Sequence, residues 1–222
     1  MQLNQLIDHT LLKPDATQTD IDQLITEALT YQFYTVMVNP YWVSYTHKRL
    51  KGSSVKIGTV VGFPLGANTT TTKVAEAQDA IYNGADEIDM VYNLGEFKAA
   101  HYNKVRQEVQ ALVDIVHGAG KVIKVIIEIG LLTDNEIGIA SRLVADTGAD
   151  YVKTSTDFTT SGATLADVKI MKNAVDKRIK IKAAGGIRNR EMAEVLIGAG
   201  ADRLGTSSSL SVLGIVNDEP SK

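Results

Sequence analysis

Two lysines carry the chemistry this sequence most plainly offers. Lys153, in Tyr151-Val152-Lys153-Thr154-Ser155-Thr156, and Lys182, in Ile181-Lys182-Ala183-Ala184-Gly185-Gly186, stand where apolar runs give way to small, hydroxyl- or glycine-rich loops. An ammonium at the inner end of a buried strand is costly, because lysine is seldom fully buried without a partner. Their separation fits one repeat of strand, helix and next strand, so they are expected on neighbouring parallel strands about 4.8 Å apart. A like charge at that distance lowers the proton affinity of an amine. A lysine relieved of its proton attacks carbonyls, and Lys153 is the expected nucleophile, with a strand-end lysine turned to solvent as the competing reading. Moving an ordinary lysine from near 10.4 to about 7 requires roughly 4 to 5 kcal/mol. One neighbouring ammonium is expected to supply it, since a unit pair 4 Å apart is worth about 4 kcal/mol at an effective dielectric of 20. Lys180 shares the parity of Lys182, so an outward basic stripe competes with the inward reading; the small residues after Lys182, which leave room for a ligand, favour the latter.

Asp89 lies inside Glu87-Ile88-Asp89-Met90-Val91 with apolar neighbours on both sides. A buried aspartate needs a cation or several donors, and a lysine pair meets that need while the carboxylate helps to move protons; capping a neighbouring loop is its competing role. Asp8, in Ile7-Asp8-His9-Thr10, is a second such candidate, with an N-cap cluster as its competing role. Gly185-Gly186-Ile187-Arg188 and Gly205-Thr206-Ser207-Ser208-Ser209 are expected to hold a phosphate, chiefly through Gly185, Gly186, Gly205, Ser207 and Ser208. His9, His47, His101 and His117 show no paired metal-ligand spacing, so no metal site and no cofactor are expected.

These residues need a scaffold that gathers strand ends. Val- and Ile-rich runs recur at 34–38, 55–63, 87–92, 122–129, 151–153, 179–183 and 203–205, with a short element at 6–9, each followed by a segment of helical periodicity. Nearly continuous apolar runs are those buried on both faces, as in parallel sheets wrapped by helices. Gly-Ala-Asp appears at 84–86, 148–150 and 200–202, each time before an expected strand, marking one helix-to-strand turn three times. Thr69–Thr72 is expected to cap a helix over Lys73–Asn83. The pattern predicts an α/β fold, a (β/α)8 TIM barrel forming a single domain over residues 1–222, whose chemistry gathers at the carboxyl ends of the strands. Asn39, Asn93 and Glu128 are further strand-end candidates. An open doubly wound sheet is the competing architecture, but no Gly-x-Gly-x-x-Gly follows the first strand.

Composition narrows the function classes. With 222 residues, 44% hydrophobic and 22% charged, the chain can bury a sizeable core. A net charge of -3 offers no footprint for nucleic acid. The absence of cysteine removes disulfides and thiol nucleophiles. The amino terminus lacks the features of a secretory signal and no apolar run approaches the roughly 18 residues that span a bilayer, so a cytoplasmic protein without membrane partners is expected.

Taken together, Asp8-His9-Thr10-Leu11-Leu12-Lys13-Pro14, Val38-Asn39-Pro40, Gly58–Pro64, Glu87–Val91, Val152–Thr156, Lys182–Arg188 and Gly205–Ser208 resemble the deoxyribose-phosphate aldolase family over nearly the whole chain. The resemblance implies a TIM barrel and a metal-free class I aldolase that reversibly cleaves 2-deoxy-D-ribose 5-phosphate to D-glyceraldehyde 3-phosphate and acetaldehyde. It implies that Lys153 forms the Schiff base, that Lys182 depresses its proton affinity, that Asp89 with Lys182 and a water relays protons, and that Asp8 supports Lys182. Small aldehydes and sugar phosphates are the expected partners, with self-association, as a dimer, through outer helices; Tyr41-Trp42-Val43 and Phe97 are candidate contacts, with burial in the helical shell their competing role.

Three positions depart from the family pattern. Asp157 stands where relatives usually carry glycine, beside the expected phosphate. Met37 replaces a cysteine found in some relatives, and residues 212–222 lack the terminal tyrosine that some use in proton transfer. Two other functions stay open on residues alone: a different Schiff-base sugar-phosphate lyase of transaldolase type, and a non-catalytic sugar-phosphate binding barrel.

Overall fold

The computed structural model describes residues 2–158 and 162–215. Among these, eight parallel strands close into a barrel: β1 (Ile7–Leu11), β2 (Thr35–Val38), β3 (Lys56–Val61), β4 (Glu87–Val91), β5 (Val122–Ile126), β6 (Tyr151–Lys153), β7 (Lys180–Ala184) and β8 (Arg203–Thr206). Each strand pairs with the next, and β8 returns to β1 through Ile7 opposite Leu204 and Asp8 opposite Gly205. The (β/α)8 barrel expected from the apolar runs is the fold observed. β5 stops at Ile126, short of the expected Ile129, because Glu128 takes a left-handed backbone (φ 52°) and a 3-10 turn follows over Ile129–Leu131.

The helical shell is α1 (Gln18–Tyr31), α2 (Val43–Arg49), α3 (Thr70–Tyr82), α4 (Leu94–Lys98), α5 (Tyr102–Gly118), α6 (Asp134–Asp146), α7 (Leu165–Val175), α8 (Arg190–Ala199) and α9 (Ser209–Leu213). Side-chain caps set several of the starts. Thr17, Thr133 and Thr164 form reciprocal capping boxes with Asp20, Glu136 and Asp167. Thr69 accepts from the Thr72 amide, so α3 begins three residues before the expected Lys73. In α1, Ile21, Leu24, Ile25 and Ala28 repeat at helical spacing and are the residues it buries against the barrel. The outward residues of the strands and the inward faces of the helices form one continuous core.

The three Gly-Ala-Asp turns are built alike. Gly84, Gly148 and Gly200 all have positive φ, at 104°, 75° and 115°. The alanines are buried, and each aspartate accepts the amide of an isoleucine one strand earlier: Asp86 from Ile57, Asp150 from Ile123 and Asp202 from Ile181. At Gly148 a Cβ would meet nothing within 4 Å, so backbone conformation alone demands glycine there.

Candidate active site

Pleating sends alternate strand residues into the barrel, and this interior is largely ionic. Register places Lys153 opposite Lys182 on β6 and β7, and Asp89 opposite Lys124 on β4 and β5. Both Lys153 and Lys182 donate to one oxygen, Asp89 Oδ2, at 2.7 and 2.8 Å. The two nitrogens therefore lie no farther apart than those two bonds laid end to end. Lys182 also donates to Asp8 Oδ2 at 2.5 Å. The Asp89, Asp8 and Lys182 side chains are wholly or almost wholly buried, and Lys153 is 4% exposed.

Gly205 makes room for this packing. A Cβ there would sit 2.9 Å from Lys182 Cε, and 3.1 Å from the Ala184 Cβ. Lys180 shares the parity of Lys182, but both turn toward the interior while Ile181 packs in the outer core. They differ in height: Lys182 is buried, whereas Lys180 sits at the exposed amino end with its Nζ 5.5 Å from the Tyr151 ring centre. The outward basic stripe is not formed.

Burial is the largest influence on Lys153 and lowers its pKa to about 8; the Asp89 carboxylate pulls it up, and the Lys182 and Lys124 ammoniums push it down. This corrects the expectation that a neighbouring cation is the principal cause. Burial opposes ionisation of Asp89, but Lys124, Lys153 and Lys182 outweigh it and hold the carboxyl well below its usual range. For Asp8, too, Lys182, Lys124 and Arg203 prevail over burial and lower the pKa.

Sequence reasoning missed three members of this cluster. Lys124 donates to Asp89 Oδ1 at 2.7 Å and pairs with Glu87 Oε2 at 2.6 Å. Arg203 donates to Asp8 Oδ1 at 2.7 Å and to Glu87 Oε2 at 3.3 Å. The available signal was a charged residue inside an apolar run: Val122-Ile123-Lys124-Val125-Ile126 flanks its lysine as Glu87–Val91 flanks Asp89.

Above the amines opens a cavity of about 210 Å³, lined by Lys153 and, among others, Thr10, Lys13, Asp157, Gly205 and Ser207. Gly185 also lines it; Gly186 and Ser208 do not. The Gly186 amide donates to Asp157 Oδ1 at 3.1 Å, and the Ser208 amide to Thr206 Oγ1 at 2.9 Å. Asp157 has φ 70° and so occupies the left-handed region that favours glycine. Leu12 and Phe158 line the cavity's apolar side; behind them Leu12 packs with Met37 and Val60, and Phe63 meets the Phe158 ring edge-on at 5.2 Å.

The remaining strand-end candidates hold the rim together. Asn39 donates to the Leu12 carbonyl at 3.1 Å, Asn93 caps α4, and Glu128 accepts from Thr156 Oγ1 at 2.5 Å. His9 is buried between Ser209 and Glu27, while His101 and His117 pair with Glu96 and Asp150. Among the described residues, no group of three or more His, Asp or Glu side chains is placed to hold a metal ion. Val43 and Phe97 are buried, whereas Tyr41 is 84% exposed. Of the terminal segment without tyrosine, residues 216–222 lie outside the described residues.

Residues 3–213 match the model of the DeoC/LacD family aldolases. The chain belongs to that family. This DeoC/LacD chain is 56% identical to the deoxyribose-phosphate aldolase of Lactiplantibacillus plantarum over 214 residues, covering 96% of this chain and all of that one. It is 53% identical to the Streptococcus uberis deoxyribose-phosphate aldolase, with 96% of each chain covered. Among solved structures, the aldolase QR15 superposes with a TM-score of 0.92 at 39% identity, covering 96% of this chain and 95% of the other. The tetrameric deoxyribose phosphate aldolase of Aeropyrum pernix gives 0.87 at 35% identity, covering 96% and 89%.

Proposed function

We propose that this DeoC/LacD family aldolase is a class I enzyme that reversibly cleaves 2-deoxy-D-ribose 5-phosphate to D-glyceraldehyde 3-phosphate and acetaldehyde, with Lys153 as the Schiff-base nucleophile. The observation that carries the assignment is the pair of amines on one Asp89 oxygen, with Lys153 of the pair lining the cavity. With its pKa lowered to about 8, Lys153 is neutral in about one molecule in ten at pH 7, against fewer than roughly one in a thousand for a free lysine.

The Lys153 amine adds to the aldehyde carbon, and water leaves to give an iminium. Removal of the proton from the C3 hydroxyl breaks the C2–C3 bond and releases glyceraldehyde 3-phosphate; the electron pair passes into the iminium, giving an enamine. Protonation at C2 and hydrolysis return acetaldehyde and the free lysine. Lys182, placed by Asp8 and Asp89, gives and takes protons, with a water as carrier. Asp89, bonded to three lysines, stays ionised and orients the amines. Gly185, Gly205 and Ser207, which line the cavity, receive the phosphate; the Gly186 and Ser208 amides, expected to join them, are engaged by Asp157 and Thr206, and Asp157 weakens the grip.

We further propose that the whole chain works as one domain, in the cytoplasm, and as a dimer. No helix among the described residues is long and apolar enough to cross a membrane. The relative from Aeropyrum pernix is tetrameric, and sedimentation of this protein distinguishes monomer, dimer and tetramer. Borohydride reduction in the presence of acetaldehyde, followed by peptide mass analysis, tests the chemistry. A reduced two-carbon adduct on Lys153 is expected; a sugar-phosphate binding protein would give none, and a transaldolase-type enzyme would not use acetaldehyde as donor.

A further inference from the structure

Beneath the amines lies a second charged layer that touches no part of the substrate cavity. Arg203 stacks on Tyr34, its guanidinium carbon 3.8 Å from the ring centre, and borders a separate cavity of about 360 Å³ lined by Gln5, Tyr34 and Ala201, at the amino end of the strands. Besides Asp8 and Glu87, its nitrogens reach Thr35 Oγ1 and the Tyr151 hydroxyl, both at 3.3 Å. Glu87 Oε2 also takes Lys124, whose nitrogen lies 3.4 Å from Asp8 Oδ2. The layer is thus wired to both carboxylates that hold Lys153 and Lys182.

Charge counting says what such a layer does. Among the described residues of the cluster, four cations (Lys124, Lys153, Lys182 and Arg203) meet three carboxylates (Asp8, Glu87 and Asp89). β2 and β3 contribute uncharged Thr35, Met37 and Val60 to this interior, and Lys180 stands apart at the exposed end. One positive charge is surplus when every member is ionised. Arginine keeps its proton. Among the described residues, Lys124 contacts three carboxylates and Lys182 two, whereas Lys153 has Asp89 alone and shares it.

We infer that Arg203 and Glu87 are positioning residues that set the charge balance of this cluster, so that the surplus proton is shed at Lys153. The inference rests on Lys153 being the nucleophile. Without the Arg203 charge, three cations face three carboxylates and Lys153 retains its proton to higher pH. Without the Glu87 charge the surplus grows, and the proton leaves at lower pH.

Arg203→Met, Arg203→Lys and Glu87→Gln test it, each checked for folding by circular dichroism. The readouts are the pH dependence of Lys153 adduct formation with acetaldehyde under cyanoborohydride, located by peptide mass, and the pH profile of kcat/KM. The midpoint should rise by on the order of one pH unit in Arg203→Met, corresponding to a several-fold slower adduct rate at pH 7 that recovers above pH 9. It should return in Arg203→Lys and fall in Glu87→Gln. Folded variants that lose rate with unmoved midpoints would overturn the inference. If Arg203→Met does not fold, the direction of the Glu87→Gln shift decides. A wild-type protein with no adduct at Lys153 would instead sink the nucleophile assignment beneath it.

Discussion

At the scale of single residues, the different roles we propose for Lys153 and Lys182 rest on their different carboxylate partners. Among the described residues Lys153 has only a share of Asp89, whereas Lys182 is bracketed by Asp8 and Asp89. Lys153→Arg should abolish the acetaldehyde adduct, since guanidinium does not form the imine; an adduct surviving elsewhere would move the nucleophile. Lys182→Met should lower kcat by roughly 10² to 10⁴, the usual worth of a placed proton donor. Its acidic limb should move to higher pH, because Lys153 loses a cationic neighbour; steady-state profiles from pH 6 to 10 check both. Asp157 is a test of specificity. Asp157→Gly releases a left-handed residue but loses a hydrogen bond, each about 1 kcal/mol, so melting temperature should hardly move. An exposed carboxylate beside a phosphate should oppose it by on the order of 1 kcal/mol after screening, so KM for deoxyribose 5-phosphate should fall several-fold. Equal changes for unphosphorylated deoxyribose would remove Asp157 from phosphate discrimination.

At the scale of elements, a buried pair outside the site braces the rim. Lys73 on α3 is buried, donating to Glu108 Oε1 on α5 and to the Gly66 carbonyl, both at 2.8 Å, while Glu108 Oε2 accepts the Asn93 amide at 2.8 Å. The pair thereby ties the loops after β3 and β4 to the shell. Burial lowers the Lys73 pKa and Glu108 opposes that shift. Glu108→Leu, which strands the ammonium, should cost about 3 to 5 kcal/mol in denaturant unfolding. Adding Lys73→Met should restore most of that loss, and failure to recover would mean the backbone contacts, not the ion pair, dominate. Capping is local at this scale, although only the Thr69–Thr72 cap of α3 was expected. Thr-x-x-Asp and Thr-x-x-Glu spacings mark the starts of α1, α6 and α7 because both partners lie within one turn.

At the scale of the whole molecule, the ionic interior ties stability to pH. Asp8 and Asp89 have folded pKa values below the unfolded 3.8, so their stabilisation is complete above that value and drains as pH falls beneath it. Lys153 is lowered to about 8 from 10.5, so between those values the unfolded chain binds more protons and stability climbs with pH. Calorimetry should show acid unfolding setting in below about pH 4, and Lys153→Met should reduce the rise between about pH 8 and 10, leaving the part that the lowered Lys73 supplies. A Lys153→Met protein whose rise is undiminished would assign it to Lys73 alone.

Much of this was readable along the chain because its causes are local. Apolar runs marked the strands, Gly-Ala-Asp marked turns that demand positive φ, and a lysine before a small-residue loop marked each amine of the site. What could not be read were pairings across the barrel. Asp8 meets Arg203, and Asp89 meets Lys124 and Lys182, only because eight strands close with one particular register, which is a property of the whole ring. The same closure excludes water from the interior and makes burial, ahead of the neighbouring cations, the chief influence on Lys153. Residue type and spacing thus pointed to the proposed nucleophile and its setting. The number of charges around it, and which one gives way, follow from three-dimensional packing, because Coulomb energies depend on distance and solvent exclusion instead of order along the chain.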